Sequence, residues 1–179
     1  MTLRRSMMAV SIAASMLVGA LAGVEVLAQE DRVLTLPEDY RTSFTRYYSG
    51  DRVFNEDQAI TIYANAIARD GAQKDGTLPF GSVLIAELHT VETDADGAIV
   101  ESAVGRRIPT GLKAIAVMER QAGWDEQYPD DLKVGDWEFE LFSAAGENLG
   151  KDMTACRECH HPLTDSEFIF TLEHLAAAN

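Results

Sequence analysis

The stretch Cys156-Arg157-Glu158-Cys159-His160-His161 carries both cysteines of a 179-residue chain, and four chemistries compete for it. A disulfide across two intervening residues would close too short a loop to restrict the unfolded chain much. A redox C-x-x-C ordinarily follows a strand and opens a helix in a βαβ unit, whereas this one follows a loop at 151–155. Zinc takes four ligands in a tetrahedron, and Cys156, Cys159, His160 and His161 are crowded for that. Covalent haem attachment uses the arrangement as it stands. The two thiols add to the two vinyl groups of the porphyrin, and the histidine after the second cysteine becomes the proximal iron ligand. That chemistry consumes every sulfhydryl in the chain. The spacing therefore points to one haem c, held by Cys156 and Cys159 with His160 on the iron. His161 reads as a partly exposed neighbour with no role at the metal. The second ring nitrogen of His160 requires an acceptor, a carboxylate or a backbone carbonyl, to fix the ring.

An electron-transfer cytochrome fills the opposite iron position with Met or His. No methionine follows Met153. Met118 reads as sheet core, His89 as a strand position and His174 as a surface residue on a terminal helix. None stands out as a distal ligand, so the sequence predicts an open or weakly occupied sixth site.

Haem c is attached outside the bacterial cytoplasm, and the N-terminus reads as an export signal. Arg4 and Arg5 precede an uncharged run over 6–24, and Val26-Leu27-Ala28 gives a small-residue cleavage pattern. The reading is a signal peptide over 1–28 and one mature domain over 29–179, periplasmic and free of the membrane. A retained membrane anchor is the alternative. A hydrophobic fraction of 46% with 25% charged residues is globular composition. The net charge of −14 argues against a nucleic-acid partner, which needs a surplus of Lys and Arg.

The elements that must position the motif are mainly strands. A strand over 60–64 followed by a short helix reconciles the two periodicities of 59–71. Residues 82–93 read as a strand, and Asp94-Ala95-Asp96-Gly97 as the turn of a hairpin into 98–105. Segments 111–120 and 136–144 carry strand-type residues, with loop between them. The polar, Tyr-rich segment 29–50 shows only a helical turn beginning at Pro37. Thr164-Asp165-Ser166-Glu167 has the capping-box pattern, and Phe168, Leu172 and Leu175 recur at helical spacing behind it. The expected architecture is α+β: an antiparallel sheet of about five strands with short helices, and a C-terminal helix after the haem-attachment motif.

These segments together resemble the cytochrome P-460 and cytochrome c′-beta family. The resemblance is carried by "TIYAN" (61–65), "LPFGSVLIAELHTV" (78–91), "GDWEFELF" (135–142) and "TACRECHHPLTDSEFIFTLEHLAAA" (154–178). It implies a mono-haem β-sheet cytochrome and a homodimer. One departure matters: the lysine that cross-links to the porphyrin in cytochromes P-460, and accompanies hydroxylamine oxidation, is replaced here by Ala86. Alanine has no amine, so the resemblance tilts toward the gas-binding branch, whose five-coordinate haem has aromatic residues over its distal face. By that resemblance Phe54 and Phe80 are candidate distal aromatics at the cofactor, with ordinary packing as the alternative. Trp137, Phe139 and Phe142 read as sheet core or pocket wall.

The leading expectation is a haem protein that binds nitric oxide or a similar diatomic, or passes electrons to a redox partner protein. An oxidoreductase acting on hydroxylamine or nitric oxide is the first alternative. It would need a proton acceptor near the distal site, for which Glu87 and Glu119 are the candidates. A non-haem exported domain with a redox cysteine pair is the second alternative.

Overall fold

The alternating segments pair as one antiparallel sheet in plain chain order in the computed structural model, which describes residues 34–178. The strands are β1 (Thr45–Asp51), β2 (Gln58–Ala64), β3 (Val83–Val91), β4 (Pro109–Arg120) and β5 (Trp137–Ser143). Four short helices accompany them: α1 (Tyr40–Ser43), α2 (Ala66–Asp75), α3 (Thr154–His160) and α4 (Leu172–Ala176). The class is α+β, as the sequence predicts. The leader 1–28 falls outside the described residues. Among those described, no helix is long and apolar enough to cross a membrane.

The ambiguous segment 59–71 resolves into strand and then helix, because Asn65 separates them. Its Oδ1 accepts from the Ala68 N–H at 2.9 Å and the Val83 N–H at 3.2 Å, and its Nδ2 donates to the Gly81 carbonyl at 2.8 Å. One side chain thus caps α2 and ties its start to the entry of β3. At the other end Gly76 takes φ 74°, the left-handed C-cap that glycine adopts without a Cβ penalty.

Five strands are present among the described residues, but their membership differs from the expectation. Segment 98–105 is not a strand of the sheet. Asp94 Oδ1 accepts from the Asp96 and Ala98 N–H groups at 2.9 Å each, and the chain makes two tight turns joined only by the isolated bridges Thr93↔Ile99 and Glu101↔Arg107. The excursion is recruited elsewhere. Arg107 donates to the carbonyls of Arg52, Asn55 and Gln58 at 3.0, 3.0 and 2.9 Å, clamping the β1–β2 turn. The fifth strand is instead β1, which begins in the polar, Tyr-rich segment 29–50, where the sequence shows only a helical turn. An edge strand with a bulge between Arg46 and Tyr48, and only Gly50 buried, carries little alternation to detect.

The capping box at 164–167 does not form either. Residues Thr164–Ser166 make a 3-10 turn, the next two residues take φ 54° and 63°, and the terminal helix begins only at Leu172. The Glu167 carboxylate binds Arg120 rather than reaching back to its own helix start.

Strand alternation divides the core between two faces. On one, Ala64, Leu84, Trp137 and Phe139 pack with α2, α4 and the residues around α3. On the other, Tyr63, Ile85, Ile115, Val117 and Phe142 are covered by Leu34, Leu36, Tyr40 and Phe44 of the N-terminal segment. That segment is fastened by Glu87, whose side chain is 7% exposed and accepts from Tyr40 at 2.7 Å, Arg41 at 2.6 Å and Tyr63 at 3.4 Å. Burial alone would push the Glu87 carboxyl up; the bonds from Tyr40 and Arg41 outweigh it and hold the group below its ordinary range. A carboxylate with a depressed folded-state pKa contributes stability above its unfolded pKa and loses it as pH falls through the folded value. Glu87→Gln is expected to cost about 1.5–3 kcal/mol at pH 7. The difference from the native chain should shrink as pH falls through the acid end of the carboxylate range. Urea midpoints at pH 7 and pH 3 check this, and a pH-independent difference contradicts it.

Candidate functional site

Helix α3 is seven residues long and places Cys156, Cys159 and His160 at i, i+3 and i+4, on one face. Its start is fixed by Asp152, whose Oδ1 accepts from the Thr154 N–H at 2.9 Å and hydroxyl at 2.7 Å. Both cysteines are free thiols, Cys156 half-buried and Cys159 exposed. Burial pushes the Cys156 thiol up, against the pull of the nearby Arg52 charge. This is the reverse of the depressed thiol that a redox pair uses as its nucleophile.

His160 is held from three sides. Its Nδ1 lies 2.6 Å from the Phe168 carbonyl, which can only accept. Nδ1 therefore carries the proton, and Nε2 keeps the lone pair that a metal ligand needs. The Phe139 and Phe170 rings each meet the imidazole edge-on at 5.1 Å. Burial holds the His160 pKa below its ordinary value, the carbonyl acting against that, so the ring is neutral at neutral pH. The expected acceptor for its second nitrogen is thus a backbone carbonyl.

The residue between the anchors, Arg157, is 1% exposed. It points into the protein, a little over a quarter-turn around α3 from Cys156. It donates to Glu138 Oε1 and the Trp137 carbonyl at 2.8 Å, and to Asp125 Oδ1 and the Leu132 carbonyl at 3.2 Å. The guanidinium stacks on Tyr128, 3.3 Å from the ring centroid, and the Tyr128 hydroxyl donates to Glu138 Oε2 at 2.9 Å. His161 is pinned by Nδ1 to the Lys133 carbonyl at 2.7 Å. Sequence reasoning passed over Arg157, because a charged residue at a variable motif position has no periodicity to mark it as buried.

Beside His160 the sheet presents an apolar strip. Ala64, Leu84, Met118 and Phe139 stand in one cross-strand row and belong to the core under the helices. Two residues along, on the same face, stand Ile62, Ala86, Ala116 and Leu141. All four are only half-buried although they cross the middle of the sheet. Two alanines face each other at its centre. Phe54 and Phe170, 72% and 49% exposed, meet at a tilt with ring centroids 5.6 Å apart, and Phe170 in turn meets the imidazole. Exposed aromatic rings, a shallow apolar floor, two free thiols and an oriented imidazole are what a flat apolar macrocycle with one axial ligand requires. The donor set fits a haem. Among the described residues no three His, Cys, Asp or Glu side chains gather as a bare metal-ion site.

The remaining candidates scatter. Phe80 lies before the start of β3, with the Arg120 guanidinium 5.6 Å from its ring, at the end of that strand opposite Phe54. The two phenylalanines are not brought together; Phe170 takes the place beside Phe54. Glu87 and Glu119 alternate with Ala86 and Met118 and so project from the other face of the sheet. Glu87 is engaged there by Tyr40 and Arg41, while Glu119 accepts from Gln121 at 2.8 Å. Neither shares the face of His160. His89 lies 3.4 Å from Glu87, and His174 is exposed with its ring 4.9 Å from that of Tyr48. Trp137 and Phe139 belong to the core on the His160 side, and Phe142 to the core on the other.

The turn presenting the Phe168 carbonyl depends on Gly135. A Cβ there would lie 2.4 and 2.6 Å from two atoms of the Phe168 ring, at φ 68°. Gly135→Ala is expected to destabilise by about 2–4 kcal/mol, combining left-handed strain with overpacking. Chemical denaturation checks this, and an unchanged midpoint contradicts it.

The family model described as Cytochrome P460 matches residues 37–171, well over half of the chain. No curated protein matches it.

Proposed function

The chain belongs to the cytochrome P460 family, a family of haem-binding cytochromes, and from that premise we propose a single haem c in an exported protein that binds small diatomic ligands. Cys156 and Cys159 would hold the porphyrin through thioethers, and His160 would be the iron's protein ligand. The observation that carries this reading is the His160 imidazole, locked by Phe168 with Nε2 free, on the same helix face as two unpaired thiols and beside an open apolar strip.

The iron, when bound, supplies a coordination position for a gas molecule and a one-electron couple. The protein does the rest. Phe168 fixes the proton on Nδ1 of His160. Ile62, Ala86, Ala116 and Leu141 give an apolar floor that excludes water, and Phe54 and Phe170 shield the edge. Such surroundings favour uncharged diatomics, nitric oxide above all, over anions. No carboxylate among the sequence candidates shares that face, and Ala86 offers no amine, so oxidation of hydroxylamine is the weaker reading. Electron exchange with a redox partner protein remains compatible with the same site. Periplasmic location rests on the leader 1–28, and a homodimer on the family resemblance alone.

The test is the absorption spectrum of protein matured with a haem-attachment system, ferric and ferrous, with and without nitric oxide. A pyridine haemochrome of the c type, an ordinary ferrous Soret position and a shift with nitric oxide are expected. A strongly red-shifted ferrous Soret band would point to a porphyrin cross-link and the oxidoreductase. Absence of bound porphyrin ends the haem reading.

A further inference from the structure

Glu167 and Phe168 are consecutive non-glycine residues in the left-handed region, at φ 54° and 63°. An L side chain disfavours this region, and a pair persists only where its surroundings over-determine it. Here they do. The Glu167 carboxylate receives Arg120 Nη1 and, at 3.3 Å, the Leu78 N–H. The Glu167 carbonyl receives the Trp137 indole N–H at 3.0 Å, and the Phe168 N–H donates to the Leu163 carbonyl at 2.8 Å. Arg120 is itself immobilised at the end of β4: its Nε donates to the Gly135 carbonyl at 2.8 Å and its Nη1 to the Leu78 carbonyl at 2.5 Å. This strained turn presents the Phe168 carbonyl oxygen to the imidazole, 2.6 Å from Nδ1 of His160.

Resting on the reading of His160 as the iron ligand, we propose that the Arg120–Glu167 ion pair is a positioning device for the proximal histidine. It forces the turn that aims the Phe168 carbonyl at the imidazole, and so sets the ring's orientation and its donor strength toward iron. A strong acceptor on Nδ1 gives the imidazole anionic character and makes Nε2 a better donor. That favours the ferric state. Without the clamp the turn relaxes toward ordinary backbone angles and the carbonyl swings away. Glu167 and Arg120 bond to each other and act on His160 through Phe168.

The experiment uses the holoprotein, as isolated and with Glu167→Gln or Arg120→Lys. Lysine keeps the charge but cannot serve Gly135, Leu78 and Glu167 together. Resonance Raman of the ferrous form reads the iron–histidine stretch, and redox titration reads the potential. Both variants should move the stretch to lower frequency and the potential upward, while Lys113→Gln, which removes a surface pair with Asp57, moves neither. A lower melting temperature with the band and potential unmoved overturns the proposal and reduces the ion pair to a fastener. If the parent protein shows no iron–histidine band and its spectra are indifferent to His160→Ala, the ligand reading fails and the proposal falls with it. The two failures are therefore distinct.

Discussion

Replacing Arg157 by alanine is expected to destabilise the protein by about 3–5 kcal/mol, the cost of removing one partner from a buried ion pair. It should also abolish stable haem incorporation. The guanidinium satisfies two carboxylates and two carbonyls at once and stacks on Tyr128. Alanine leaves Glu138, 8% exposed, as an uncompensated buried charge, with a cavity against the aromatic ring. The loss is concentrated where it matters for function. Arg157 joins the short helix bearing the thiols to β5 and to the turns at 124–127 and 130–132. A seven-residue helix has little stability of its own. Arg157→Lys should recover only part of the loss, since one ammonium cannot reach four acceptors in the guanidinium's fork geometry. Pairing Arg157→Ala with Glu138→Gln should restore part of it by removing the orphaned charge. Urea denaturation of the three variants checks the order. Equal stability of Arg157→Ala and the parent would contradict the assignment of this side chain as the fastener of α3.

Cys156→Ala with Cys159→Ala is expected to remove all covalently attached haem, leaving a denatured polypeptide with the mass of the bare chain. Each single substitution should leave one thioether and a porphyrin still on the chain. The two singles should differ in stability. Cys156 packs against the core with its sulfur 4.0 Å from that of Met153, while Cys159 is exposed. Cys156→Ser therefore places a hydroxyl against apolar neighbours and should cost about 1–3 kcal/mol more than Cys159→Ser. Intact mass after denaturation reads attachment, and thermal unfolding reads the asymmetry. Porphyrin remaining on the denatured double variant would place the attachment at other residues.

Much of the site was legible before any fold was known, because its chemistry is local. Cys156, Cys159 and His160 lie within five residues, and helical geometry alone puts them on one face. The strand and helix at 58–75, β3, β4 and β5 were likewise readable, since the central strands carry buried apolar residues on both faces and the edge strand β5 does so through Trp137, Phe139 and Phe142. The misassignments occur where distant partners override local preference. Residues 98–105 have hairpin chemistry, yet Arg107 draws that excursion to the β1–β2 turn. Thr164-Asp165-Ser166-Glu167 has the capping pattern, yet Arg120, forty-seven residues away, captures the glutamate.

By itself the sequence determined the reactive sulfurs, the adjacent imidazole, the missing amine at Ala86 and the α+β class. Tertiary structure alone decided that Arg157 is buried, that Phe168 supplies the carbonyl for His160, that Phe170 and not Phe80 stands beside Phe54, and that Glu87 and Glu119 lie behind the sheet. The reason is physical: covalent spacing and strand alternation are set by neighbours in the chain. Burial of a charge, choice of an acceptor and which end of a strand a side chain reaches are set by groups brought close only when the chain folds.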